Sequence, residues 1–538
     1  MAPVPSSAEP RLAPLALVAS HVATAAYLTY TVGQSLWKSH KALGPSQDTR
    51  LRAAQRSKLT SAFGSLAGMG LVFAITSGYK YLELSYHGWA LDRGIGVPNS
   101  PFSTSRLVGS NETDASQWHL RQWLSDTPIY LDALEIIAEK SRTLWWGQQL
   151  DLATLSWTTL LAIEGRRRNI PHLWAYALLA HLVSLSFAQN LFYVALLLTP
   201  APIPTRQPSF LDRFFSPKPN NWIPNPPVVY SSLALSSAAA LWLPWAAGSS
   251  WFPIAATLVK LLSFAPLILT TVAPQSWGTT HLAPHSSYRV ITNTFQAISA
   301  ASALLHAKTT VSSLFYNFPG PRKHRHNIKI PFDTQKRSKW ERSATSIEKV
   351  LGSINDHPAV TAAGKDVLLC ALSLGLWAAV RAVDVGNMLR SATPWYKSAE
   401  SSPPGVSASV HEVDASSANQ VLDRGNGTSM NLRSRGRRSK GDTDSNSIDG
   451  NPQTSRRRGR PRRSKVEFDL SSDIDQRSEM GDSTYKPTPA EKQDVDLGDV
   501  VPDDDFDWES ASLAWGLSIL GGLGTGAAAV FGGECIAR

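Results

Sequence analysis

Three carboxylates in this chain have the setting needed to move a proton. Asp151 and Glu164 lie in the apolar run Leu144–Gly165, and Glu135 lies on the helical stretch just before it. Ionisable groups at membrane depth are costly, so they face a bundle interior or a cavity and mark substrate, ion or proton sites. At 100° per residue, Gln148, Asp151, Thr154 and Thr158 form one polar stripe, while Trp146, Trp157 and Glu164 align on another face. A carboxyl group among apolar walls can be held as an acid. The faces of Trp145, Trp146 and Trp157 can stabilise a developing cation. The next apolar run adds His181, Gln189 and Asn190. Each group also has a structural reading. Polar side chains tie helices together at about 1 kcal/mol each. Glu164 can pair with Arg166–Arg168, and Asp132, Glu135 and Glu139 can form a solvated acidic face.

The elements that must hold these groups are read from turn signals and apolar runs. Thr127-Pro128 is a helix start, and the pattern stays helical to about Glu164. That length exceeds a hydrocarbon core, so an amphipathic section precedes a span at about Leu144–Gly165. The triple arginine makes a tight basic turn, and Pro171 opens a second span at about His172–Leu198. Further runs of spanning length are Leu12–Trp37, Leu59–Tyr81, Val228–Trp245, Phe252–Val272 and Val290–Phe315. Val367–Val380 is short for a crossing, and the last run, Ala511–Ile536, is glycine-rich with Gly522 and Gly526 as a close-packing pair. The fold class expected is an all-α polytopic transmembrane helical bundle of eight or nine spans. It comprises a bundle over residues 1–390, a disordered polar segment over 391–509 and a C-terminal transmembrane helix over 510–538.

Charge and composition narrow the class. A soluble globule is excluded by the recurrent apolar runs. Two cysteines, Cys370 and Cys535, cannot build a disulfide framework or a zinc site alone. The net charge of +10 reflects basic loops, which the positive-inside rule puts in the cytosol. Lys38–Lys58, Arg166–Arg168 and the segment Pro321–His357 are such loops. Asn111-Glu112-Thr113 is an N-glycosylation acceptor and belongs on the lumenal side. The two signals agree on a multi-pass protein of the endoplasmic reticulum or another endomembrane, with the lipid bilayer as its first partner. Arg458-Gly459-Arg460-Pro461 has an AT-hook-like core. Basic low-complexity segments produce that core by chance, so DNA is not the expected partner. Asp503–Asp507 formally matches an aspartate-rich magnesium–diphosphate pattern but lacks a companion motif and reads as a charge run. No metal and no cofactor are expected.

The hairpin itself carries a resemblance. WWGQQLDLATLSW, LLAIEGRRRNIPHLWAY and SFAQNLFYVALLLTP resemble the fungal membrane-bound terpene cyclases of ascochlorin- and macrophorin-type meroterpenoid pathways. The resemblance covers about residues 1–390 and is strongest over about 123–200. It implies acid-initiated cyclisation of a prenylated, epoxidised aromatic or quinone-like core, with a hydrophobic isoprenoid chain as substrate. The long tail and last apolar run depart from a compact cyclase. The alternative is a non-catalytic endoplasmic-reticulum or nuclear-envelope membrane protein that uses its basic tail for tethering.

Overall fold

The computed structural model describes residues 12–43, 50–94, 119–199, 218–219, 222–281, 284–325, 333–396 and 506–536. The described residues belong to one unit, made of residues 1–401 and 488–538. Asn111, Arg458–Pro461, Asp503–Asp505 and most of the segment 391–509 lie outside them.

The fold is all-α apart from two short antiparallel ladders. Its sixteen α-helices among the described residues begin with α1 (Ala13–Lys41), α2 (Arg50–Asp92), α3 (Leu120–Asp126), α4 (Ile129–Glu139) and α5 (Ser141–Leu160). A single π turn, Leu161–Gly165, follows α5. Then come α6 (Leu173–Leu182), α7 (Leu185–Leu198), α8 (Pro226–Ala246), α9 (Phe252–Leu262), α10 (Ala265–Val272) and α11 (Pro284–Tyr316). The last are α12 (Lys339–Gly352), α13 (Pro358–Arg381), α14 (Val385–Ala392), α15 (Trp508–Gly521) and α16 (Leu523–Ile536). Strand β1 (Trp222–Pro224) pairs with β2 (Gly278–Thr280), with Ile223 opposite Thr279. Strand β3 (Arg322–Arg325) pairs with β4 (Asp333–Lys336).

The core is built around the last helix. Every residue of α16 is buried, and it packs against α5, α11, α14 and α15. Small side chains make this possible by letting backbones approach. A Cβ on Gly524 would run into Ser302 and Leu152, and one on Gly532 into Ser391 and Phe295. Gly522, at φ +81°, turns the corner between α15 and α16, a conformation that L side chains rarely adopt. The run read as one C-terminal span is thus two helices cut by that corner, the second wholly buried and the first only on one side.

Four helices are long and apolar enough to cross a membrane: α1, the Ala54–Asp92 part of α2, α8 and α13. The bent pair α9–α10 makes a fifth if it counts as one span. That is fewer than the eight or nine expected, and the reasons are local. Helix α5 is largely buried within the protein and carries a polar stripe. The run His172–Leu198 is broken at Val183–Ser184, where Ser184 caps α7 by accepting from the Phe187 N–H. Residues 290–315 lie within the long helix α11 but are rich in Ser, Thr, His and Lys. Conversely, the short run Val367–Val380 lies inside a helix of 24 residues.

Two boundaries also move. Helix α2 runs on to Asp92, beyond the expected end at Tyr81, because Tyr86 and Trp89 pack with Trp123 and Leu124 of α3. The helical stretch Thr127–Glu164, expected as an amphipathic section and a span, is two helices that part at Lys140. Thr127 ends α3, and α4 starts at Ile129. The backbone at Lys140 is extended, and α4 folds back on α5. A Cβ on Gly147 would collide with Ile137, so this glycine sets the close approach of the two helices.

Candidate functional site

The site forms where a bent helix pair meets α5 and α6. Pro266 sits in the first turn of α10; proline lacks an N–H and its ring clashes with the carbonyl four residues back, so it kinks or breaks a helix there. The axes of α9 and α10 accordingly differ by 64°. The Ser263 N–H still bonds to the Val259 carbonyl of α9, and the break leaves the Ser263 carbonyl to a side chain. Thr158 on α5 donates to the Ser263 carbonyl at 2.7 Å. The Ser263 hydroxyl donates to the Lys260 carbonyl at 2.7 Å and lies 2.9 Å from His181 Nε2. With the serine proton directed at Lys260 O, the histidine Nε2–H is the donor in the second contact. The Phe264 ring stands edge-on to His181 with centroids 4.4 Å apart.

One turn before the break, Lys260 Nζ lies 2.5 Å from Asp151 Oδ1. The Asp151 side chain is 12% exposed and that of Lys260 37%. Asp151 therefore does not face lipid unpaired; it holds a cation contributed by α9. The structure brings Asp151, Thr158 and His181 to one corner, and adds Lys260 and Ser263. Lys260 stands inside an expected span and was visible as an intramembrane charge, but its partner lies 109 residues away.

The other expected residues go elsewhere. Glu135 accepts from the Gly248 N–H at 2.7 Å and so ties α4 to the turn between α8 and α9. Partial burial, and then the Glu135 charge, push the neighbouring Asp132 carboxyl above its usual range. Trp145 Nε1 donates to Thr310 on α11 at 2.9 Å, and Trp145 and Trp146 meet edge to face. Trp157 is fully buried against Phe192. Its indole N–H, like that of Trp146, has no partner among the described residues. On α7, Gln189 donates to the Tyr193 hydroxyl at 2.7 Å, and Asn190 donates to the Ser186 carbonyl at 2.7 Å. The polar side chains of α5, on the stripe and off it, work mainly between helices: Gln148 with Thr309, Gln149 with the Leu523 N–H, and Ser156 with the Gly524 carbonyl.

Glu164 belongs to a second, separate group. It sits on the π turn, 1% exposed, with Oε1 2.9 Å from Arg167 and Oε2 3.3 Å from Arg168. Arg168 also donates to the carbonyls of Leu196 and Thr199, and lies 3.6 Å from Glu534 on α16. Arg167 donates to the Cys535 carbonyl at 2.9 Å. Arg166 donates to the carbonyls of Pro219 and Trp222. All three arginines of the expected cytosolic turn are thus engaged with the protein. Their charge is accounted for by the fold and is a weak guide to topology.

Among the described residues, no three His, Cys, Asp or Glu side chains come together as a set that could hold a metal ion. Comparison with protein-family models, with curated proteins and with solved structures returned no match.

Proposed function

We propose that the chain is a multi-pass endomembrane enzyme that cyclises an isoprenoid chain on an aromatic or quinone-like core, with Asp151 as the proton-handling group. The observation that carries this reading is the Asp151–Lys260 pair at the bent α9–α10 corner, with His181 and Ser263 beside it. Irregular backbone at membrane depth is tolerated where it is buried in protein or lines a cavity. The pair holds one transferable proton. Given to an epoxide oxygen, it opens the C–O bond and leaves a carbon cation, which the next alkene captures. Loss of a proton from the final cation to the Asp151–Lys260 pair restores the starting state, so the net reaction is an isomerisation. The resemblance of the hairpin to membrane terpene cyclases agrees with this chemistry. In this reading the shorter apolar helices α6, α7 and α16 bring the bundle to seven membrane-embedded segments, or eight with the bent pair α9–α10.

A second reading, a non-catalytic membrane protein with a tethering tail, is supported by the polar side chains of α5. Gln148, Gln149, Thr154, Ser156 and Thr158 all have hydrogen-bond partners within the protein. Microsomes containing the chain, incubated with prenylated phenol epoxides, separate the two. A cyclised isomer that depends on Asp151 supports the enzyme. Unchanged epoxide across a panel of such substrates supports the tether.

A further inference from the structure

A cavity of about 270 Å³, open on one side, is lined mainly by α2, α4, the start of α7 and α13. Its walls are mostly small or apolar. Gly70, Ala74 and Gly78 recur every four residues along α2, and Ala359 and Ala363 face them from α13. The two glycines differ. A Cβ on Gly70 would strike the Ser186 hydroxyl and the Phe187 backbone, so Gly70 lets α2 touch α7. A Cβ on Gly78 meets nothing within 4 Å, so packing does not demand glycine there and the space stays open.

Five polar side chains line the cavity: Ser184 and Ser186, which lie at the start of α7, and Tyr81, Asp366 and Ser77. The Tyr81 hydroxyl donates to the Ile129 carbonyl at 2.7 Å. The Asp366 carboxylate accepts from the Ser186 N–H at 2.8 Å and the Cys370 thiol at 3.9 Å on Oδ1, and from the Leu185 N–H at 3.0 Å on Oδ2, and a carboxylate oxygen accepts twice. Ser77 is 2% exposed, and its hydroxyl has no partner among the described residues. An unpaired buried hydroxyl is costly, and its presence in a cavity wall calls for an occupant. On the face of α2 turned away from the cavity, Val72 and Ile75 are exposed.

We propose that this cavity binds a membrane-borne apolar chain that ends in a hydroxyl, of the long-chain or prenyl alcohol class. A hydroxyl can donate to Asp366 and accept from Ser77. A carboxylate head would set like charges together, and a plain hydrocarbon would leave Ser77 unpaired. The volume falls near the lower end of small-ligand sites, which suits one chain and not a two-chain lipid. The site is distinct from the Asp151 corner and needs no turnover there.

The test uses the full chain in detergent and three probes of equal length: dodecanol, dodecanoate and dodecane. Dodecanol should raise the thermal midpoint saturably, with the acid and the hydrocarbon at least about tenfold weaker. Ser77→Ala should weaken dodecanol about five- to tenfold, the size of one hydrogen bond. Gly78→Leu should abolish the shift while the unliganded midpoint stays within a few degrees. Asp151→Asn should bind as the wild type does, so loss of cyclase activity and loss of this binding can be told apart. Equal response to all three probes would overturn the proposal, as would dodecanol binding untouched by Ser77→Ala. If Gly78→Leu fails to fold, Ser77→Ala alone decides.

Discussion

Glu534 on α16 and Arg381 at the end of α13 face each other as a two-pronged ion pair, with Arg381 Nη2 at 2.9 Å and Nε at 3.1 Å from Glu534 Oε1. Glu534 is 3% exposed and Arg381 11%. Arg168 approaches the same carboxylate from the π-turn side. Two arginines from distant parts of the chain therefore converge on one acid of the last helix. Removing one partner from a buried pair leaves an uncompensated charge and costs about 3–5 kcal/mol. Glu534→Ala should accordingly lower the stability of the detergent-solubilised protein by that order, read as a large drop in thermal midpoint. A midpoint unchanged within a degree would mean the pair is not formed.

Asp151→Asn should abolish cyclised product by about 10²-fold or more, the usual scale of a lost acid–base group. Lys260→Met should do nearly the same, and the double variant should be no worse than either alone, because the two act as one unit. Product and protein level are measured together in microsomes. Loss of protein level without loss of specific turnover would make the pair structural.

His357 caps α13 by accepting from the Ala359 N–H at Nδ1, 3.2 Å away, and its ring stands edge-on to Tyr81. Burial holds its basicity below the ordinary histidine range. The unfolded chain takes up the proton near pH 6.5, while the folded ring resists it. The contribution of neutral His357 is thus complete above that pH and is lost as pH falls through the folded value. Melting midpoints should fall from pH 7 to pH 5, and His357→Asn, which caps without titrating, should flatten that slope. Parallel slopes for both proteins would rule His357 out as the sensor.

Replacing residues 400–500 by a short Gly/Ser linker should leave the bundle folded. The flanks are held independently: Thr393 N–H bonds to Leu389 O, and Asp507 N–H bonds to Ala379 O. Closing a shorter flexible loop changes stability by less than about 2 kcal/mol. The thermal midpoint should match the full chain within a few degrees. Deleting 506–536 instead should abolish folding, since every residue of α16 is core.

What could be read from the residues was what depends on neighbours in sequence. The apolar stretches within α1, α2 and α8, and the proline that bends α9 into α10, are local properties. The break before α7 is not, because no proline or glycine stands there. It depends on Ser184 and on Asp366, which receives the N–H groups of Leu185 and Ser186 from 181 and 180 residues away. Asp151 and His181 were legible as polar groups in apolar runs, but their meeting point, Lys260 and Ser263, exists only after α9 bends. The last run was apolar enough to pass for a span. Its glycines and Glu534 carry the opposite message, since Glu534 is kept inside by arginines 153 and 366 residues earlier.

The placement of α16 has a consequence for synthesis. The fully buried helix α16, packed on α5, α11 and α14, is made well after those three helices. At about 5–20 residues per second, the stretch between α14 and α16 takes on the order of ten seconds to translate. Through that interval the faces of the earlier helices that α16 will cover have no partner, Arg381 lacks Glu534, and Arg168 has Glu164 but not Glu534. Any factor that shields these faces acts as a chaperone for the protein, and a ribosome that stalls before residue 523 leaves a product that assembly can recognise as unfinished.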